Sequence, residues 1–362
     1  MADSQSIKIP AHHNIYTGNN NRDLRIDFVI PDTGTNSDTG LLIIVPGFGA
    51  HIDSNVYKKM RQQFANQYNL ITVQCDYFGS EFMQSVENFK FKENLNEMSH
   101  YFNEKELNVI KKNETQIMPI LLGKDTVVNV LATINESLEH FNDMGLMQAI
   151  DVITAIEAMK ILLHENDVEF NEKKIIGYGH SQGAYLLHLC NRLVPHVFST
   201  IIDNSAWVAP VYLTTNRILQ HRINNLILNM EFDYLAKQVI SDKAALSLFS
   251  VYENFENGAL IKSYLGTNDN LVNISSKKSS ISHLKFVDFK VIDDSKVDGK
   301  IFKSTGHGLD ADFIELFNYS MSKDSAVHKN AIEKQTEYEI TLSKTHIFVD
   351  YSYGLPLFNV EL

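Results

Sequence analysis

Leu24, Ile26, Phe28 and Ile30 alternate with Arg25, Asp27 and Val29, the period of a half-buried strand that stops at Pro31. After the turn-rich segment 31–40 the chain is apolar without interruption from Leu41 to Val45, which predicts a strand covered on both faces. The period then lengthens. Val56, Met60, Phe64 and Tyr68 recur at helical spacing behind a capping Asp53 or Ser54, and Leu70–Asp76 returns to strand. Leu146–Leu163 reads as an amphipathic helix with Ile150, Ile153, Met159 and Leu162 on its buried side. Lys174–Ile176 is a short β-leaning run, and Ala184, Leu186, Leu187, Cys190 and Leu193 form a helical stripe ended by Pro195. Phe198–Ile202, Ala259–Leu265 and Phe286–Ile292 complete the predicted strands.

Alternation of strand and helix from 41 to 320 predicts an α/β fold, with a mostly parallel central sheet and helices on both faces. A single domain is expected over 1–362, with three additions. Residues 81–142, rich in Lys, Glu and Asn and then helical in period, read as a helical insertion; their charged run reads as a solvated face. Residues 208–257 read as a second helical insertion, placed past a strand end where a cap or lid would sit. Two alternating runs, Tyr338–Leu342 and Ile347–Tyr351, predict a hairpin within a C-terminal β extension, 335–362. Residues 1–21 are polar, and the Asn run at 19–21 suggests a loop.

Composition narrows the function classes. The chain has 362 residues, and its 44% hydrophobic and 21% charged content is ordinary for a globular protein. A formal net charge of −12 argues against a nucleic-acid binder or an anionic-membrane binder, which need a basic face. Cys75 and Cys190 fall in a predicted strand and a predicted helix and read as buried free thiols, which suits a reducing compartment. With no basic-then-apolar leader and no transmembrane-length apolar window, the expectation is a cytoplasmic protein; oligomeric state is open. No metal is expected: His12 and His13 lack partners at ligand spacing, and there is no HExxH. No cofactor is expected either. Gly177-Tyr178-Gly179 has Gln182 where a dinucleotide loop needs its third glycine, and no Walker-type Lys-Ser/Thr follows a Gly-rich loop.

The chemistry gathers at Gly179-His180-Ser181-Gln182-Gly183, a G-x-S-x-G pentapeptide between a predicted strand and a predicted helix. A serine hydroxyl needs a base and must project from the backbone. A tight strand-to-helix turn provides the projection, with Gly179 and Gly183 leaving room for it. The Gln182 amide, at the helix start, would face a developing oxyanion. Pro46-Gly47-Phe48-Gly49, after the first buried strand, offers a second donor in the Phe48 amide, and Gly47 lets the chain approach a substrate. Ser181, Asp269 and His307 each follow a predicted strand and fall in the order Ser…Asp…His. Asp203 ends another strand and is the alternative acid.

Residues 24–320 resemble the α/β-hydrolase superfamily through PGFG at 46–49, GHSQG at 179–183, GTNDNLV at 266–272 and GHG at 306–308. NVYKKMRQQFANQYNLITVQCDYFG and IIDNSAW are similar to a bacterial branch catalogued only as a domain of unknown function. The resemblance implies Ser181 as nucleophile, His307 as general base and Asp269 as the acid that orients it, since GTNDNLV matches the usual acid loop. It departs from the usual pattern at Pro46-Gly47, where His-Gly is common; that change loses a side-chain contact but keeps the backbone donor. The implied activity is hydrolysis of an ester, thioester or acylated sugar through an acyl-enzyme. Two other outcomes fit the same residues: an O-acyltransferase acting on a bacterial glycan, and a non-catalytic binding protein on the same scaffold.

Overall fold

The unbroken apolar runs become the centre of the main sheet, and the alternating runs become its margin. The computed structural model describes residues 4–84, 88–322 and 328–361. Positions 85–87, within the first expected insertion, and 362, at the end of the expected extension, lie outside the described residues. In chain order the strands are β1 (Gln5–Pro10), β2 (Asp23–Val29), β3 (Gly40–Val45), β4 (Leu70–Cys75), β5 (Asn88–Phe91) and β6 (Thr126–Thr133). Then come β7 (Ile175–His180), β8 (Thr200–Asn204), β9 (Arg217–Ile223), β10 (Leu226–Phe232), β11 (Leu260–Gly266) and β12 (Val287–Ile292). β13 (Glu337–Leu342), β14 (Thr345–Asp350) and β15 (Leu357–Glu361) close the chain.

Among the described residues the main sheet runs β1-β2-β4-β3-β7-β8-β11-β12. Its ladders from β4 to β12 are parallel, and β1 and β2 add an antiparallel margin. Leu41, Ile43 and Val45 of β3 face the core that holds the helices Leu146–Glu165 and Gln182–Leu193. Leu42 and Ile44 face the opposite core, with the helices Asn55–Tyr68 and Phe313–Met321. That two-sided covering is why β3 needs no polar face. Both cysteines are buried and free.

Several local expectations are corrected. Residues 5–10, read only as polar, form β1, in which Ile7 and Ile9 alternate and pair with β2. Val56 is exposed, and Tyr57, Met60, Arg61, Phe64 and Ala65 line the buried side of its helix. The C-terminal extension is a three-stranded sheet, β13-β14-β15, whose Ile340, Leu342, Ile347, Val349 and Phe358 join the main core. It therefore adds a strand to the expected hairpin. The Leu146–Glu165 helix, read as amphipathic, is buried on nearly all sides along its first four turns.

The largest correction concerns the two insertions, both read as helical. Segment 81–142 carries short helices, Glu104–Lys112 and Ile117–Leu121, but also β5 and β6; segment 208–257 supplies β9 and β10. The four strands make one sheet, β5-β6-β10-β9, joined across the two insertions by the parallel β6–β10 ladder. Val128, Val130, Leu226 and Leu228 pack there against Ile110, Ile117 and Leu121. Tertiary pairing overrides a local period that fits either element.

Candidate active site

Ser181 sits between β7 and the Gln182–Leu193 helix with φ 54° and ψ −119°, a backbone strained by roughly 1–3 kcal/mol. Its N–H donates to the Asn204 carbonyl at 2.8 Å, and its carbonyl accepts from Tyr185 N at 3.1 Å, so both neighbouring elements hold the turn. A Cβ on Gly179 would collide with the Ala184 backbone, and one on Gly183 with the carbonyl oxygens of Val45 and Pro46. Those absent side chains let the helix start press against the end of β3, three residues before Phe48. Among the described residues neither the Phe48 nor the Gln182 N–H has a hydrogen-bond acceptor. The Gln182 amide stands at a helix N-terminus directly after the strained serine.

The predicted partners of Ser181 converge on it. His307 Nε2 lies 2.7 Å from Ser181 Oγ, and His307 Nδ1 lies 2.8 Å from Asp269 Oδ2. The other Asp269 oxygen accepts from the N–H groups of Leu271 and Val272 at 2.8 and 2.9 Å, which fixes the carboxylate plane. Gly308, with φ +75°, donates its N–H to Ser205 Oγ at 3.1 Å and accepts from Asn204 Nδ2 at 3.3 Å, so the loop carrying His307 is tied to the end of β8. Ser181 is 5% exposed, and the Asp269 side chain is fully covered while that of His307 is 16% exposed.

Asp203 is elsewhere. Its Oδ2 accepts from Lys277 Nζ at 2.7 Å, Ser263 Oγ at 2.7 Å and His188 Nε2 at 2.9 Å; its Oδ1 accepts from Ala206 N at 2.7 Å. Burial opposes its charge, but the Lys277 ammonium and His188 outweigh that and hold the carboxyl well below its ordinary value. Asp203 thus has four donors of its own and none from His307.

Sequence reasoning passed over two groups beside the site. His180, the first of the pentapeptide's two variable residues, is wedged between Gly47 and Gly308, and burial, aided by nearby His307, pushes its pKa down to about 4. It is a neutral spacer, and nothing in the motif marks it. The second group is aromatic. The Phe48 ring lies 5.2 Å from Tyr212, 5.6 Å from Trp207 and 5.7 Å from Tyr234, and the Arg217 guanidinium stacks over it at 4.6 Å. Arg217 opens β9, so the second insertion reaches the turn that holds the free Phe48 amide.

Among the described residues no cluster of three or more His, Cys, Asp and Glu side chains is placed to hold a metal, and no helix is long and apolar enough to cross a membrane. A parallel sheet with a strained serine at a strand–helix turn, and a histidine and an aspartate supplied by later strand ends, is the α/β-hydrolase fold. Residues 9–241 match the family described as "Protein of unknown function (DUF2920)", and the chain belongs to that family. The acylaminoacyl peptidase of Pyrococcus horikoshii is similar in structure at 10% identity, with a TM-score of 0.51, covering 92% of this chain and 43% of that one. Est1E from Butyrivibrio proteoclasticus with bound ferulic acid is 12% identical, with a TM-score of 0.42 over 83% of this chain and 93% of its own. An S-formylglutathione hydrolase from Agrobacterium tumefaciens is 11% identical, with a TM-score of 0.43 over 87% and 91%. No curated protein matches.

Proposed function

We propose that the protein is a serine hydrolase that cleaves an ester or related acyl compound through an acyl-enzyme. The observation that carries this reading is the continuous hydrogen-bonded path from Asp269 through His307 to Ser181 Oγ. His307 Nε2 takes the hydroxyl proton as Oγ bonds to the acyl carbon, and the carbonyl electrons move onto the oxygen, which accepts from the Phe48 and Gln182 amides. Collapse of that intermediate breaks the bond to the leaving group, and the imidazolium returns the proton to it. Water then repeats the sequence against the acyl-serine. Asp269 keeps Nδ1 protonated and stabilises the imidazolium. The sheet built from the two insertions serves as the cap over this site, and Arg217 and Tyr234 are its contacts with the Phe48 turn.

A fluorophosphonate probe read by intact mass tests the reading. One adduct on wild type and none on Ser181→Ala is the expected result, with the variant's circular dichroism unchanged. A folded wild type that takes no adduct would overturn it.

A further inference from the structure

The two candidate oxyanion donors are held in different ways. Gln182 opens a twelve-residue helix, and its fully buried side chain donates from Nε2 to Gln148 Oε1 at 2.7 Å. The main core therefore fixes its backbone. Phe48 lies in a turn, and a donor on a loop is placed less firmly than one on a helix. Its support comes from the two insertions. The first holds the next residue: the Gly49 N–H points at Met83 Sδ at 3.1 Å, and the Gly49 carbonyl accepts from Gln84 Nε2 at 2.7 Å.

The second insertion holds the side chain. Arg217, the first residue of β9, places its guanidinium 4.6 Å from the centre of the Phe48 ring and 5.8 Å from that of Tyr212. Among the described residues it forms no ion pair; its Nη1 donates to the Met83 carbonyl at 2.9 Å, and the Tyr234 hydroxyl donates to the same oxygen at 2.6 Å. Trp207, Tyr212 and Tyr234 surround the rest of the ring. A guanidinium is attracted to a ring face and can lie against it while its N–H groups bond in its own plane. Arg217 does both, holding the ring and tying it to Met83, whose sulfur meets the Gly49 N–H. A ring locked in this box fixes the backbone it hangs from, and with it the Phe48 N–H.

We propose that Arg217 is a positioning residue for the reaction: from the cap it clamps the Phe48 ring and so aims the Phe48 amide at the carbonyl oxygen that gains charge. The proposal rests on the serine hydrolase reading and extends it, because the cap becomes a brace of the chemical step. A misplaced donor weakens transition-state binding more than substrate binding, since the oxygen carries its charge only after Oγ has attacked. The signature is a loss in kcat at nearly constant KM.

The test measures p-nitrophenyl acetate turnover and trifluoroacetophenone inhibition on Arg217→Met, Arg217→Lys and Arg222→Met, with circular dichroism on each. Ser181 Oγ adds to the ketone carbon, His307 takes the proton and the oxygen keeps the negative charge, so this inhibitor reads the oxyanion donors without a leaving group. Arg222 is exposed on the same strand and supplies the matched loss of one charge. Arg217→Met should lower kcat by about 10- to 100-fold with KM within about twofold, and ketone affinity should fall in step. Arg217→Lys keeps a cation but not the flat fork and should recover part of the loss, while Arg222→Met should behave as wild type. A folded Arg217→Met that turns over ester and binds the ketone as wild type does would overturn the proposal, as would a loss confined to KM or one matched by Arg222→Met. If Arg217→Met does not fold, Arg217→Lys decides: weaker ketone binding at unchanged KM supports the proposal, and wild-type binding counts against it. A wild type that takes no fluorophosphonate removes the hydrolase reading and this one with it, whereas a labelled wild type indifferent to Arg217 removes this one alone.

Discussion

Among the described residues the molecule holds two aspartate–histidine pairs of nearly equal geometry. His307 and Asp269 approach to 2.8 Å, and His188 and Asp203 to 2.9 Å. What separates them is the far side of each imidazole. The second nitrogen of His307 faces Ser181 Oγ in a partly open site, while that of His188 meets the Tyr252 hydroxyl at 2.5 Å inside a fully buried cluster. Their acids differ as well. Asp269 keeps one oxygen for its histidine, whereas Asp203 is neutralised by Lys277, and all three groups of that cluster are inaccessible. A histidine beside a carboxylate becomes a base only if its other nitrogen reaches something that can react; closed off, it becomes a strut.

The largest expected difference is in rate. Asp269→Asn should lower ester turnover by roughly 10⁴-fold with little change in stability, whereas Asp203→Asn should retain fluorophosphonate labelling in the folded fraction. Loss of labelling in folded Asp203→Asn, with Asp269→Asn still active, would exchange the two roles. Stability should show the inverse order. Asp203→Asn leaves Lys277 buried without its counter-ion and should cost about 3–5 kcal/mol in urea unfolding, and adding Lys277→Met should recover part of it. If the double variant is no better than the single, the ion pair is not what the aspartate is for.

Acid should weaken the fold through its buried histidines, partly offset by Asp143, whose carboxyl burial pushes up to about 6. Burial lowers the pKa of His12 and His180 to about 4 and of His196 to about 3, and lowers that of His188 too. His12, His180 and His196 stay neutral when folded down to about pH 4 but take a proton when unfolded below the ordinary value of about 6.5. The unfolded chain therefore binds more protons, and stability should fall as pH drops from about 6.5 toward 4. The slope approaches at most about 1.4 kcal/mol per pH unit for each group. A flat urea midpoint over that range would refute it. The smallest effect is Tyr252→Phe, which removes the donor to His188 Nδ1 and should cost about 1–3 kcal/mol without touching turnover.

Legibility in the sequence follows the range of the interactions. The Ser181 turn is written locally, because two glycines, an apolar strand and a helical stripe all fall within twenty-odd residues. The Asp269 and His307 loops were legible as strand ends in the right order. Asp203 was ambiguous, since its partners Lys277 and His188 are brought to it only by the packing of three elements. The insertions misled for a related reason. Val127, Val130, Leu131 and Ile134 fit a helical period, yet Val128, Val130 and Ala132 also alternate, and the choice was made by β10, about a hundred residues away. One local signal was present: Ile223 pairs with Leu226 across Asn224-Asn225, a two-residue hairpin turn with Asn224 at φ 55°. The aromatic contacts of Phe48 had no local signature.

The parallel ladder between β6 and β10 also sets an order of events as the chain leaves the ribosome. β6 is complete at Thr133, but its partner ends at Phe232, and the whole Ser181 turn lies between them. One edge of β6 must therefore wait, unpaired, through the synthesis of the residues that build the Ser181 turn. Pairings of such long separation form late and leave strand edges open to other chains in the meantime. Pulsed hydrogen exchange during refolding should show β7 and β8 amides protected before those of β6 and β10, and the reverse order would exclude this sequence. The cap would then be the last part to mature, so a newly made molecule would pass through a stage with its serine turn built and its cover still missing.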